Sequence, residues 1–165
     1  MTKVLLYGYG NPGRQDDGLG NAFIDRIEEW IKEEGLENIE LDSNYQLNIE
    51  DAEAISNYDI AIFIDASVEE IDDFCVTKVS KESEIVYTTH AASPGYIYDL
   101  CIQIYGQAPP TFLVHIKGYE WAFKEGLTEN GVANLEKAIE FMKPYLKSPE
   151  KLLGTEADPK PCYKA

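Results

Sequence analysis

The sequence has few of the residues that build disulfide frameworks or zinc sites. Its 165 residues include three cysteines, Cys75, Cys101 and Cys162, and only two histidines. The number of cysteines is odd, and no two of them have the C-x-x-C spacing. We therefore expect neither a disulfide scaffold nor a zinc site. We expect a reduced cytoplasmic protein whose thiols pack in its interior, with Cys162 exposed near the C-terminus.

Basic residues and long apolar runs are also scarce. The chain has 14 Lys and Arg against 30 Asp and Glu, which gives a net charge of −16 at pH 7. Such a charge disfavours nucleic acid and anionic membrane surfaces as partners. No apolar run approaches the roughly 20 residues that a membrane span requires, and the N-terminus lacks the layout of a signal peptide. These absences again predict a cytoplasmic protein.

The patterns that are present alternate between strand and helix. Continuous or alternating apolar runs predict strands, and apolar residues at helical spacing predict helices between them. The predicted strands cover residues 4–6, 38–41, 60–64, 74–79, 85–89 and 112–116, with 74–79 a candidate edge strand. The predicted helices cover residues 19–34, 49–56, 94–105 and 129–146, the last one kinked or ended early by Pro144.

This alternation predicts the fold class and the domain limits. We expect one α/β domain with three α/β/α layers and a mostly parallel twisted sheet, formed by residues 1–147. Residues 148–165 are polar and rich in proline, so we expect a loose C-terminal tail.

A glycine-rich turn follows the first predicted strand. Gly8, Gly10 and Gly13 fit the G-x-G-x-x-G pattern of dinucleotide-binding proteins. However, Asp16 and Asp17 follow at the start of the next helix, where a pyrophosphate requires positive potential. A dinucleotide-binding α/β protein therefore stays open as an alternative, but the acidic pair favours a cation or a polarised substrate group.

Three candidate site residues follow the carboxyl ends of predicted strands: Asp17, Asp65 and His90. Ligands of open α/β sheets bind at this end, so we expect the three side chains to lie at one rim. Two carboxylates and an imidazole suit a divalent transition metal. Each residue also has an ordinary explanation, as a helix-start acid, a turn cap or a packed histidine. The two carboxylates alone could instead share a proton as an acid–base dyad.

Other catalytic schemes find less support. His115, the second histidine, lies within the last predicted strand, and we expect it to be structural. The G-x-S-x-G nucleophile elbow is absent from the sequence. A catalytic triad would therefore have to use His90.

Four segments match, in order, those of a known protein family over about residues 3–147. They are Gly8-Tyr9-Gly10-Asn11 with Asp16-Asp17-Gly18-Leu19-Gly20, then Phe63-Ile64-Asp65-Ala66, then Thr88-Thr89-His90-Ala91-Ala92-Ser93-Pro94, and finally Gly118-Tyr119-Glu120 with Gly126-Leu127-Thr128. In these segments the sequence resembles the maturation endopeptidases of nickel–iron hydrogenases.

The resemblance implies a peptidase, described as aspartyl-type, that removes the C-terminal extension of the hydrogenase large-subunit precursor after nickel insertion. It implies Asp17, Asp65 and His90 as both metal-binding and catalytic residues, although some members carry Glu at the position of Asp17. The nickel is carried by the precursor, and no organic cofactor is implied. A non-catalytic nickel chaperone would use the same ligands. The hydrogenase served, the scissile bond, the chemical mechanism and the oligomeric state stay open.

Overall fold

The computed structural model describes residues 1–80, 92–154 and 156–163. Within these residues, five strands form one sheet with the order β2-β1-β3-β5-β4. The strands are β1 (Val4–Tyr9), β2 (Ile39–Asn44), β3 (Ile60–Ser67), β4 (Phe74–Lys78) and β5 (Thr111–Lys117). Three of the pairings are parallel, and β4 pairs antiparallel with β5 at one edge. The predicted mostly parallel sheet and its edge strand are confirmed.

Helices cover both faces of this sheet. They are α1 (Leu19–Glu34), α2 (Glu50–Ser56), α3 (Pro94–Tyr105) and α4 (Glu129–Lys147). One apolar core joins α1 and α4 to alternate residues of the strands, and a second joins α2 and α3 to the opposite face. This arrangement confirms the three-layer α/β/α architecture.

Local sequence signals set the N-terminal ends of α3 and α4. The Ser93 side chain accepts a hydrogen bond from the backbone N–H of Tyr96 at the start of α3, as an N-cap residue does. The Thr128 side chain accepts one from Gly131 at the start of α4. Pro144 was expected to kink α4 or to end it early, and it does not end it early, because the helix continues to Lys147. Pro144 is exposed, so the Glu140 carbonyl that loses its intrahelical donor can bond to water.

The predicted strand at 85–89 and the candidate ligand His90 lie outside the described residues. The remaining strands follow the predictions, although β1, β2 and β3 extend further at their carboxyl ends.

The C-terminal segment is not loose, and its cysteine is not free. Cys162 forms a disulfide with Cys75 of β4, 87 residues earlier in the chain. Lys160 pairs with Val76 through two backbone hydrogen bonds, which extends the sheet beyond its edge strand. Leu152 is buried. The expectations of a loose tail and of reduced, unpaired thiols at Cys75 and Cys162 are therefore wrong, whereas Cys101 is a buried free thiol, as expected.

The disulfide also bears on the predicted compartment. The cytoplasmic expectation rested partly on reduced cysteines, and that support is lost. Within the part of the chain that the structure describes, no helix has both the length and the apolar character needed to cross a bilayer.

Candidate active site

The sheet order places the ends of β1 and β3 side by side. The chain leaves β1 toward β2 on one side, whereas β3 and β5 lie on the other. In open α/β sheets, the crevice for ligands lies at such a switch point, beyond the carboxyl ends of the strands. Asp17 follows β1 and Asp65 lies near the end of β3, so the fold brings these two predicted residues to one rim.

Two glycines allow the loop after β1 to pack tightly against this rim. A Cβ atom at Gly20 would come within 2.3 Å of the Ile64 carbonyl oxygen in β3. Gly10 has a φ of +147°, and a Cβ atom there would overlap the carbonyl oxygen of Asp17. Both positions require glycine, and together they hold the turn that carries Asp17 beside the end of β3.

The first acid of the pair, Asp16, points inward and is fully buried. Its carboxylate accepts hydrogen bonds from the backbone N–H groups of Tyr119 (2.8 Å) and Thr128 (2.9 Å). The Thr128 hydroxyl donates a further bond of 2.7 Å. Asp16 thus ties the loop after β1 to the segment before α4. Both segments carry sequence motifs, but no local pattern in the sequence predicts this contact between them.

Backbone hydrogen bonds also join the loop after β1 to the segment before α4. The N–H of Asp16 donates to the Glu120 carbonyl, and that of Gln15 donates to the Lys124 carbonyl. Gln15 has a positive φ of 45°, which is uncommon for a residue other than glycine. Such a conformation persists only where the surroundings enforce it. The turn that carries Asp17 is therefore fixed from both sides.

Asp17 is half-buried and faces its own turn. Its Oδ2 accepts a hydrogen bond of 3.0 Å from the backbone N–H of Asn11. The Asn11 side chain in turn accepts a bond from the N–H of Gly13. A dinucleotide phosphate would need these N–H groups, but the protein's own oxygens already occupy them. The geometry therefore disfavours the dinucleotide alternative.

Asp65 has an altered acidity. The pKa of Asp65 is raised to about 7 overall: burial raises it most, hydrogen bonding to the Tyr9 hydroxyl lowers it in part, and the negative charge of Asp17 raises it. Burial and the charge of Asp65 also raise the pKa of Tyr9 well above its ordinary value. The charge of Asp17 therefore acts on Asp65 across this rim.

Tyr9 lies at the site, although no role was predicted for it from the sequence. It lies at the end of β1 and packs edge-on against Phe63 of β3, with ring centroids 6.4 Å apart. Its position between two glycines of the turn was the available signal, since a large aromatic there must face either the core or the ligand.

His115, for which a structural role was predicted, lies next to this rim. It pairs in register with Asp65 across β3 and β5. The His115 ring is hydrogen-bonded through Nε2 to the Thr77 hydroxyl (2.8 Å). Burial lowers the pKa of His115, and the charge of Asp158 opposes this in part. His90 lies outside the described residues, so a three-residue site remains a prediction.

The described part of the site can perform two kinds of chemistry. Two carboxylates at one rim are hard ligands of the kind that bind divalent cations. A carboxyl group with a pKa near 7 also suits proton transfer at neutral pH, as in a carboxylate dyad. The donor set therefore fits a divalent metal, and the dyad alternative stays open.

A groove of about 240 Å³ lies beside this loop. Its walls are formed by Pro12, Gly18, Asn21, Ala22, Asp25, Glu125, Gly126 and Leu127. Exposed apolar side chains also follow the strands at the same rim, namely Tyr45 after β2, Val68 after β3 and Phe123 in the segment before α4. A larger cavity, of about 430 Å³, opens at the other end of the sheet, near Thr2 and Asn38.

No family model matches the sequence, and no curated protein matches it. Solved structures do share its fold. The [NiFe] hydrogenase maturation protease HycI from Thermococcus kodakarensis KOD1 is 20% identical and superposes with a TM-score of 0.70, covering 89% of this chain and 94% of its own. The hydrogenase maturating endopeptidase HybD from E. coli is also 20% identical, with a TM-score of 0.67 and coverage of 89% and 93%. At these identities the comparison establishes the fold.

Proposed function

We propose that this chain is a maturation endopeptidase that removes the C-terminal extension of a nickel–iron hydrogenase large-subunit precursor after nickel insertion. One observation carries the proposal. Asp17 follows β1 and Asp65 lies near the end of the neighbouring strand β3, in a fold shared with a hydrogenase maturation protease and a hydrogenase maturating endopeptidase. The motif resemblance, which does not depend on the superposition, points to the same family.

The nickel belongs to the substrate in this proposal. It arrives bound to the precursor, and Asp17 and Asp65 supply carboxylate oxygens to its open coordination positions. His90 supplies a nitrogen. Because the pKa of Asp65 is about 7, a cation at this rim would displace a proton that the free protein partly retains at neutral pH. The protease could thereby test whether nickel is present before it cuts.

The residues around the site bear on bond cleavage. Asp65 can accept and return a proton near pH 7, which suits activation of water or protonation of the leaving amine. A metal ion at the rim would polarise the scissile carbonyl or a water molecule. Tyr9 keeps the Asp65 carboxyl oriented by hydrogen bonding. Metal-activated water and the carboxylate pair both remain compatible with this arrangement.

The surroundings of the site offer binding surface for an extended peptide. The groove beside the loop contains apolar walls, including Pro12 and Leu127. Phe123 and Tyr45 are exposed by 84% and 71% at the same rim. We assign the precursor's extension to this surface, since isolated polar contacts alone would give little affinity. The partner is then a cytoplasmic precursor protein, and no membrane or nucleic acid is involved.

The test is cleavage of the precursor by the full chain. Nickel-loaded and nickel-free large-subunit precursors are incubated with the protein, and the C-terminal mass loss is followed by mass spectrometry. We expect cleavage of the nickel-loaded precursor only, little effect of serine- or cysteine-protease inhibitors, and no cleavage by His90→Ala. Efficient cleavage of the nickel-free precursor would contradict nickel guidance. Binding of the loaded precursor without cleavage would favour the chaperone alternative.

A further inference from the structure

A second cluster of side chains of metal-ligating types shares no residue with the Asp17–Asp65 site, although its His115 is the register neighbour of Asp65. Cys75, His115 and Cys162 place their ligand atoms within 4.8 Å of one another. Cys75 and Cys162 form a disulfide in this structure. We propose that, once this disulfide is reduced, the two thiolates and the imidazole bind a divalent transition metal of the zinc type. This inference does not depend on the proposed function.

The spacing of the three groups suits such an ion. Two thiolates on a tetrahedral zinc ion lie roughly 3.8 Å apart, because each Zn–S bond is about 2.3 Å long. The cluster is already within 4.8 Å, so the sulfurs need only separate moderately after reduction. Two sulfurs and one nitrogen are the borderline-to-soft set that zinc prefers, with a fourth position left for water.

The sheet fixes two of the three ligands. Cys75 of β4 and His115 of β5 are directly paired in the antiparallel register, so their side chains lie on the same face of the sheet. The Thr77 hydroxyl holds the His115 ring through Nε2 at 2.8 Å. A partner on one ring nitrogen is how proteins orient metal-binding histidines, and we assign Nδ1 to the metal.

The third ligand stays in place without the disulfide. Lys160, two residues before Cys162, exchanges backbone hydrogen bonds of 2.8 and 3.1 Å with Val76. The Asp158 carboxylate accepts a bond of 2.8 Å from the backbone N–H of Lys78. The Lys160 ammonium lies 3.2 Å from Asp73. These contacts hold the segment against β4 whatever the oxidation state of the cysteines, so reduction leaves the ligands gathered.

Electrons and protons balance when the disulfide form is converted to the metal-bound form. A dithiol reductant gives two electrons and two protons to the Cys75–Cys162 disulfide and is itself oxidised to a disulfide. Binding of the cation then displaces one proton from each thiol to solvent. The disulfide and the metal are thus alternative cross-links for the C-terminal segment, and the metal form is the one suited to a reducing compartment.

Cobalt can report the ligand type directly. The full chain is reduced, freed of metal with a chelator and titrated with Co²⁺, and thiolate-to-cobalt charge-transfer absorption is recorded. We expect one tetrahedral cobalt per molecule with this absorption, displaced by zinc. The oxidised protein should show none.

Variants locate the site and separate it from the acidic pair. Cys162→Ser and His115→Gln should lose the tetrahedral cobalt spectrum, whereas Asp65→Asn should keep it. Cys101→Ser is the matched control, since Cys101 is a buried free thiol outside the cluster. Circular dichroism checks that each variant is folded.

Protection from alkylation gives a second readout on the unmodified protein. Zinc should slow iodoacetamide labelling of the partly exposed Cys162 in the reduced wild type, with no effect on Cys101. Absence of thiolate absorption in reduced wild type, or its loss in Cys101→Ser to the same degree as in Cys162→Ser, would overturn the proposal. Equal labelling with and without zinc would do so as well.

Discussion

Asp16 and Asp17 are adjacent in sequence, but folding gives their carboxylates different tasks. The Asp16 carboxylate is fully buried and saturated by donors from the segment before α4. The Asp17 carboxylate is half-buried and receives one backbone donor, from Asn11. Asp16 therefore stabilises the loop, whereas the carboxylate of Asp17 is available to bind a ligand.

This division predicts different costs for the same substitution. Asp16→Asn should lower the free energy of unfolding by about 2–4 kcal/mol, because its amide would face N–H and O–H donors in a buried position. Asp17→Asn, at a more open position, should cost less than about 1 kcal/mol. Urea denaturation of the two variants measures both values. Equal losses would show that Asp16 is not the structural member of the pair.

The raised pKa of Asp65 predicts a pH dependence of stability. Its pKa is about 7 in the folded protein against 3.8 as the reference value, so the folded state binds the proton more tightly than the unfolded state. The stabilising contribution is present below pH 4 and is lost as pH rises through 7. Urea unfolding between pH 4 and 8 should show a smaller decline in Asp65→Asn than in wild type. Identical pH profiles would contradict the assigned pKa.

Among the elements, the helices and strands were predicted better from local sequence than the loops were. The caps Ser93 and Thr128 and the apolar periodicity gave the helix positions, because short-range hydrogen bonds and spacing determine them. The parallel sheet followed from the alternation of elements. The rim shared by Asp17 and Asp65 followed in turn from the sheet, since carboxyl ends of parallel strands meet at one edge.

Contacts between segments that are distant in the sequence could not be predicted from local sequence patterns. The disulfide joins residues 87 positions apart, and its formation depends on a Cα separation that only the folded chain defines. The bonds from Tyr119 and Thr128 to Asp16 are equally remote in sequence. Periodicity and turn signals carry no information on such pairings.

Thr128 links an element to the site and should therefore matter more than an ordinary cap. Its hydroxyl accepts from Gly131 at 3.0 Å and donates to Asp16 at 2.7 Å. Thr128→Ala should cost about 2–3 kcal/mol, since it removes a helix cap and a bond to a buried charge. Ser93→Ala, at the cap of α3, should cost about 1 kcal/mol. Chemical denaturation compares the two, and Thr128→Ser should restore most of the loss.

At the scale of the whole molecule, the C-terminal segment closes the fold at its edge. It pairs with β4 through Lys160 and is cross-linked through Cys162. An exposed edge strand invites pairing with other chains, and this segment covers part of that edge. The rim with Asp17 and Asp65 lies in the middle of the sheet, between β1 and β3.

The cross-link should contribute measurably to stability. Reduction in the presence of a chelator, which prevents metal binding, should lower the free energy of unfolding of wild type by about 2–4 kcal/mol, because the disulfide closes a long loop. Cys162→Ser should start from the lower stability and be insensitive to reductant. Thermal unfolding with and without dithiothreitol tests this, and a reductant effect of equal size in Cys162→Ser would show that another group is responsible.

If Asp17 and Asp65 form one cation site, calorimetry of cadmium binding will detect it. The oxidised protein is used, so that the disulfide keeps Cys75 and Cys162 from binding the metal. We predict one cadmium ion per molecule, bound with modest affinity, and loss of this binding in Asp17→Asn, in Asp65→Asn and in His90→Ala. Glu69→Gln, an exposed carboxylate just past β3, should bind as wild type does. Unchanged binding in either aspartate variant would show that the two carboxylates do not form a cation site.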